Sequence, residues 1–502
     1  MTSAAAAVRS AATRGGRTVW LAGAALSAAA LLAGLLAGAL IVSGHGTAVF
    51  GVGAIALVVV LWKAPRFSPV VLLASALTIE QFPLSGAQPG ASLGAGVAPS
   101  DLTDRIPLFH GIARNVHVSL ADLLLLTLVA IWLLKRGTGV SSAVPRSRVT
   151  AAILGVLFAV LLGLAVGHAH HGDLRTGLTE VRPYVYLAVA YLIASVYVTS
   201  RSVLRAVLWA CVLGSGLKAF QAFHSFAKVR TENPRPDFVV GHEEALFFAL
   251  FILLALSLWV FDVRGPLRKT ATALVPFVLL ADLVNSRRTA WLILGGALLV
   301  FALMTMVAVP ERRRLMSRIL MLVAVVSAVY FPVYWNHTGA LAGPARAVHS
   351  AVAPNPRDES SDQYRVLENA SLRSNIQQGG FAGKGFGVPI EYSPEIPDIR
   401  SIDPLITYIP HNGVYYILMR MGLLGGIAFW SLIGVGIIGA CRLVRSADRE
   451  VAVVGALVTC ALVGYVLEGY NDQGFFLYRV AFVIGSLLGL AEGARRLSGE
   501  AE

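Results

Sequence analysis

The chain has 502 residues, of which 56% are apolar and 14% charged, against roughly 45–50% apolar and 25% charged in an average soluble domain. That composition excludes a soluble globular protein and points to one membrane domain with one sizeable polar loop. The 41 basic and 28 acidic residues leave a net charge of +13, which membrane orientation explains without a nucleic-acid partner, because Lys and Arg gather in the cytoplasmic loops of multispanning proteins.

In chain order, a tail (1–17) with Arg9, Arg14 and Arg17 leads into an apolar stretch at 18–43. This stretch is longer than a usual signal-peptide core and reads as an uncleaved anchor. Further spans are expected at 47–62, 68–83, 118–135, 150–167, 183–199, 203–227, 243–262, 270–284, 290–309 and 317–335. A polar external loop (336–412) follows, then spans at 413–440, 451–470 and 476–492 and a short tail (493–502). The fold class is therefore all-α and polytopic, with 14 transmembrane helices: eleven within 18–335 and three within 413–492. With the amino terminus inside, 23 basic residues fall in inner connections and 15 in outer ones, six of the latter in the 336–412 loop. Both termini are expected in the cytoplasm. Within the loop, Ser361 to Gln378 reads as an amphipathic helix, with Tyr364, Leu367 and Ser371 on one face and Arg365, Glu368, Asn369 and Arg373 on the other. Gly379 and Gly380 end it, and such a helix suits the membrane surface over the spans.

Several charges oppose this orientation. Asn285-Ser286-Arg287-Arg288-Thr289-Ala290-Trp291 lies at the outer end of two short spans. Charge in or near a bilayer tends to have a partner or a function, and a guanidinium fork suits bidentate binding of phosphate oxygens. The expected partner is an anionic lipid head group, specifically a diphosphate. A second basic cluster, Lys228, Arg230 and Arg235, precedes Asp237 and Gly241-His242-Glu243-Glu244, and Arg230 or Arg235 is a further phosphate candidate. Arg182, in Glu180-Val181-Arg182-Pro183-Tyr184, opens a span from the outside, where it either faces the same pocket or pairs with Glu180. At the end of the loop stands Pro410-His411-Asn412, then, after nine residues, Gly422-Leu423-Leu424-Gly425. A histidine at a span entrance titrates near neutral pH and suits a general base. Asn412 suits fixing its ring or binding a sugar hydroxyl, and the glycines suit close helix packing.

No metal or cofactor is expected. Cys211, Cys441 and Cys460 show no ligand or disulfide spacing, and His168, His170 and His171 have no carboxylate or cysteine in motif spacing. Glu80, Asp122, Lys218, Asp282, Arg420, Glu468 and Arg479, in or near spans, read as buried structural pairs or a polar cavity.

The His411-Asn412-x9-Gly422-Leu423-Leu424-Gly425 pattern resembles the signature of the O-antigen ligase family and its relatives, the O-antigen polymerases and protein-glycosylating oligosaccharyltransferases. Ser286-Arg287 is similar to that family's serine-arginine entry to a short span. Tyr364-Arg365 through Gly383-Lys384-Gly385-Phe386-Gly387 is similar to its loop helix and glycine-rich turn. Leu120-Ala121-Asp122-Leu123 and Arg182-Pro183-Tyr184 add weaker matches, and the resemblance covers roughly 118–492. It implies a metal-independent glycosyltransferase of the GT-C type in a bacterial cytoplasmic membrane, working at the outer face. A glycan would pass from a polyprenyl diphosphate donor to a glycan, lipid or protein acceptor, by a polysaccharide polymerase or a ligase. His411 would deprotonate or orient the acceptor hydroxyl. Arg287 or Arg288, with Arg230 or Arg235, would hold the diphosphate, and Arg182, Arg365 and Asn412 complete the substrate-binding set. The competing class is a lipid-linked glycan flippase, which would concentrate its polar groups near the midplane.

Overall fold

The computed structural model describes residues 46–80, 108–109, 111–113, 116–139, 141–229, 239–285, 287–337, 340–354, 356–400 and 405–499. The expected first span at 18–43, and Ser286, Arg230 and Arg235, lie outside the described residues. Two compact units divide at Pro65. The first contains the apolar helix α1 (Gly46–Lys63).

The second unit, Arg66–Glu502, begins with α2 (Ser68–Thr78) and continues through a short antiparallel hairpin, β1 (Gly111–Ala113) and β2 (Val116–Ser119). The hairpin is the one departure from an all-helical chain among the described residues. Then follow α3 (Leu120–Gly137), α4 (Arg148–Ala169), α5 (Leu174–Tyr197), α6 (Arg201–Val229), α7 (Glu244–Val260), α8 (Pro266–Asn285), α9 (Arg288–Ala308) and α10 (Arg313–Tyr334). The 336–412 loop contributes α11 (Gly343–Val352) and α12 (Pro356–Gly379), and the chain closes with α13 (Gly413–Leu443), α14 (Arg449–Asn471) and α15 (Tyr478–Ser498).

Polar side chains begin several of these helices by accepting from backbone N–H groups that have no partner within the helix. Ser119 and Asp122 form a reciprocal capping box on α3, while Ser147, Asp173, Asn412 and Asp448 cap α4, α5, α13 and α14.

Six helices among the described residues, α4, α6, α9, α10, α13 and α14, are long and apolar enough to cross a membrane. The other expected spans that fall on described residues are helical too. They are shorter, as in α7, or they carry charge, such as Glu180 and Arg182 of α5 and Arg479 of α15. Depth in the bundle varies. The apolar window of α14 is 78% buried and sits centrally, whereas that of Pro310–Tyr334 is 6% buried and turns its valines outward at the periphery. Apolar surface this extensive on the outside of a bundle matches a hydrocarbon surround rather than water. The chain is a multi-pass membrane protein.

Among the described residues the most extensive helix pairing is that of α5 with α15, and glycines set their approach. A Cβ at Gly485, Gly489 or Gly493 would stand 2.3, 2.6 and 2.6 Å from Leu187 O, the Ala194 Cβ and the Val198 side chain. Small residues four apart let backbones meet this way inside a membrane.

The connections sort to two ends of the bundle. At one end Asn285 Oδ1 accepts from Val239 and Val240 N–H at 3.2 Å, and His242 meets Asp472 at 2.8 Å. At the other, Arg201 pairs with Asp448 (2.6 Å), Arg205 with Glu450 (2.6 Å) and Arg449 with Asp262 (3.1 Å). Connections expected on the same side of the membrane therefore do meet.

Candidate active site

The site is built on α12. Its inward face carries Glu368, Ser371, Leu372 and Asn375, all buried. This corrects the expected division of faces: Ser371 and Glu368 point the same way, and Arg373 is exposed. The inward face is polar because it organises the following loop. Asn375 donates to Glu391 O (2.8 Å) and accepts from Glu391 N–H (3.0 Å), Lys384 Nζ bonds Asn375 and Glu391 at 2.9 and 2.8 Å, and Ser371 Oγ accepts from Ser393 N–H (3.1 Å).

The glycine-rich turn of that loop is threaded into a break in α13. Gly422 has φ 61° and ψ −160° and interrupts the helical ladder. Lys384 and Gly385 N–H groups donate to the freed Met419 and Arg420 carbonyls at 2.7 and 3.2 Å, and Phe381 O accepts from Leu423 N–H at 3.1 Å. Gly383, Gly385 and Gly387 all have positive φ, and a Cβ on Gly385 would lie 2.1 Å from Gly167 N. Only glycine fits both demands. The turn is locked by a fully buried pair. Arg420 reaches Glu180 (2.7 Å) and the carbonyls of Gly385 (3.0 Å) and Tyr408 (2.7 Å), while Tyr416 OH donates to Glu180 (2.8 Å) and Gly387 N–H also donates to it. Gly422 thus makes a kink and a loop socket, a different role from the helix packing expected of it.

Directly before α13 stands His411. Its Nδ1 lies 3.2 Å from Glu368 Oε1, and its backbone N–H donates to the same oxygen at 3.3 Å. The Tyr364 ring meets the imidazole edge-on at 5.8 Å. With Nδ1–H directed to a carboxylate, the neutral ring keeps its lone pair on Nε2. Burial opposes a charged ring here, but hydrogen bonding to Glu368 and the charges of Glu368 and Asp472 outweigh it, so the pKa is raised above 6.5. Asn412 does not hold the imidazole: it caps α13 through Val414 and Tyr415 N–H (3.1 Å each) and donates to Asn369 Oδ1 at 3.0 Å.

The arginines divide into two groups. Arg288, at the start of α9, bonds Ser350 Oγ at 3.1 Å and reaches Asp362 at 3.7 Å. Asp362 lies on α12 six residues before Glu368, about 9 Å along a helix axis. Arg365, between them, acts electrostatically on His411 and Asp472, and Arg365 and Arg287 both act on Glu468. His411, Arg287, Arg288 and Arg365 are therefore gathered around α12 and the end of α14. Arg182 stands apart. It pairs with Asp122 (3.5 Å) and bonds Tyr478, and Glu180 is taken by Arg420, so the expected alternative of an Arg182–Glu180 pair does not occur.

Glu368, Asp472 and His242 complete the surroundings without having been marked as site residues. Asp472 follows α14, and although its burial opposes charge, the nearby His242, His411 and Arg365 hold its carboxyl well below the usual range. Their common signal in sequence is weak: single polar residues, 43 to 230 positions from their partners. Elsewhere, His170 meets Lys384 O at 3.0 Å. Lys218 and Arg479 interlock with Glu80, Glu243 and Glu244 in the bundle, the paired structural arrangement expected of intramembrane charge.

Residues 271–430 match the family model described as O-Antigen ligase. No curated protein matches the chain. The matched segment runs from α8 through the break in α13 and so contains Arg287, Arg288, α12, the glycine-rich turn and His411. This segment, about a third of the chain, is similar to the O-antigen ligase family and supports the resemblance to O-antigen ligases and polymerases.

Proposed function

We propose that the protein is a metal-independent glycosyltransferase of the GT-C type, with 14 spans and both termini in the cytoplasm. It moves a glycan from a polyprenyl diphosphate to an acceptor hydroxyl at the outer face of the cytoplasmic membrane, as a polymerase or a ligase. The observation that carries this reading is the tethering of His411 and Arg288 to one helix, α12, through Glu368 and Asp362.

His411 Nε2 accepts the acceptor hydroxyl proton as oxygen attacks the anomeric carbon, and Glu368 stabilises the imidazolium that results. The bond to the diphosphate breaks as the new glycosidic bond forms, and negative charge grows on the leaving oxygens. Arg287 and Arg288 meet that charge at the amino-terminal end of α9, where helix N–H groups and the macrodipole also favour an anion. Asp362 lies near Arg288 and Glu468 near Arg287, so these arginines are held in place at that helix end while keeping positive charge for an anionic ligand. Preorganised cations of this kind stabilise the transition state without a metal. Arg230 or Arg235 is assigned to the same diphosphate, and Arg365 and Asn412 to the sugars. Arg182, engaged by Asp122, is assigned to the support of α5.

Incubating purified protein with a defined polyprenyl-diphosphate glycan, then analysing product length and the group attached at the reducing end, tests this function and separates polymerase from ligase. Arg287→Ala/Arg288→Ala should lose donor binding; unchanged binding would exclude the clamp.

A further inference from the structure

At the end of the bundle away from His411, the α5–α6, α7–α8 and α13–α14 connections and the last turn of α15 enclose an open pocket of about 870 Å³. The segment of α13 from Gly422 to Leu443 alone separates the two ends by about 30 Å, so this pocket is no part of the site above. Arg201, Arg205, Arg264, Arg445 and Arg449 line it against Asp262, Asp448 and Glu450, leaving two positive charges in excess.

The carboxylates are arranged to hold arginines in place rather than to neutralise them. Asp262, in the left-handed region at φ 51°, is shared at 3.1 Å by Arg264, Arg268 and Arg449. Arg201 and Arg205 are fixed across to Asp448 and Glu450, each at 2.6 Å. Of these, the side chains of Arg201, Arg205, Arg264 and Arg449 stay more than half exposed, between 56% and 77%, while Arg268 is largely covered. The exposed ones therefore keep N–H donors for a further acceptor. Arg445 faces the pocket with no side-chain partner among the described residues. The orientation rule accounts for basic residues in these connections, but not for their convergence on one hollow with an arginine left over.

We propose that this pocket binds a phosphate-bearing anion, the head group of an anionic phospholipid or free phosphate, at the membrane face opposite the transfer site. A tetrahedral phosphate offers several oxygens to converging guanidinium forks and offsets the excess charge. Val263 and Leu497 in its lining suit the glycerol and upper acyl region of a lipid.

Purified full-length protein in neutral detergent should be examined by native mass spectrometry with phosphatidylglycerol or with phosphatidylcholine, each with and without millimolar inorganic phosphate. Phosphatidylglycerol should be retained in preference to phosphatidylcholine. Arg445→Ala, which breaks no ion pair, and Arg264→Ala should each weaken retention by about fivefold, as expected for one basic group at an anionic surface. Their thermal unfolding should match the parent, so loss of binding is not loss of fold. Retention of phosphatidylglycerol against inorganic phosphate supports the proposal with a lipid head group as ligand, and displacement supports it with free phosphate. Equal retention of the two lipids together with no bound inorganic phosphate, or undiminished binding by Arg445→Ala/Arg264→Ala, would overturn it.

Discussion

A single carboxylate oxygen, Oε1 of Glu368, receives both the ring and the backbone N–H of His411, and two consequences follow. The imidazole must be neutral to accept a proton, and its pKa lies above 6.5. kcat/KM should therefore rise with pH through a limb above 6.5, and Glu368→Gln should move that limb to lower pH, as a pH–rate profile would show. For stability the sign is opposite. The His411–Glu368 ion pair contributes fully below the unfolded histidine pKa, and its contribution disappears as pH rises through the raised folded value. Arg420 is a different case, since it sits wholly inside with Glu180. Arg420→Ala strands a buried carboxylate and should lower unfolding stability by about 3–5 kcal/mol, measured by thermal unfolding in detergent. The spacing to Gly422 singles out His411 as a candidate, and its role stands as a proposal. Glu368 was not marked as its partner, because a contact across 43 residues leaves no local pattern.

Helices were the most legible elements, because apolar runs of bilayer length leave few alternatives. The less legible features are those in which a polar residue serves packing. α12 looked amphipathic, yet turns Glu368 and Asn375 inward to hold the loop that follows. Gly422 looked like a packing glycine, and backbone dihedrals reveal instead the break that admits the Gly383–Gly387 turn. Gly422→Ala would place a Cβ 2.0 Å from Phe381 O at a positive φ. It should cost at least about 1–3 kcal/mol and displace the loop that carries His411, lowering activity and unfolding temperature together. Gly489→Val, by contrast, overpacks α5 against α15 and should lower stability by about 1–3 kcal/mol while the His411–Glu368 contact survives.

Within the Arg66–Glu502 unit, the alternation of connections places the His411 site and the arginine pocket at opposite ends, which suits the proposed transfer at one leaflet. Single cysteines at Ser393 and Ser446, in an otherwise cysteine-free variant, should react with impermeant reagent from the outside and only after lysis, respectively. The expected 14 spans exceed the six helices among the described residues that are long and apolar enough to cross a membrane. Charged helices such as α5 and α15 look marginal alone, but packing and paired charge make them interior elements of the bundle. Proton acceptance by His411 is the central step of the proposed transfer. Its most direct test is glycan transfer by purified His411→Ala from a polyprenyl-diphosphate donor, with donor binding measured on the same sample. Transfer reduced by about 10²–10⁴ with donor binding retained is the predicted result; transfer at the parent rate would contradict it.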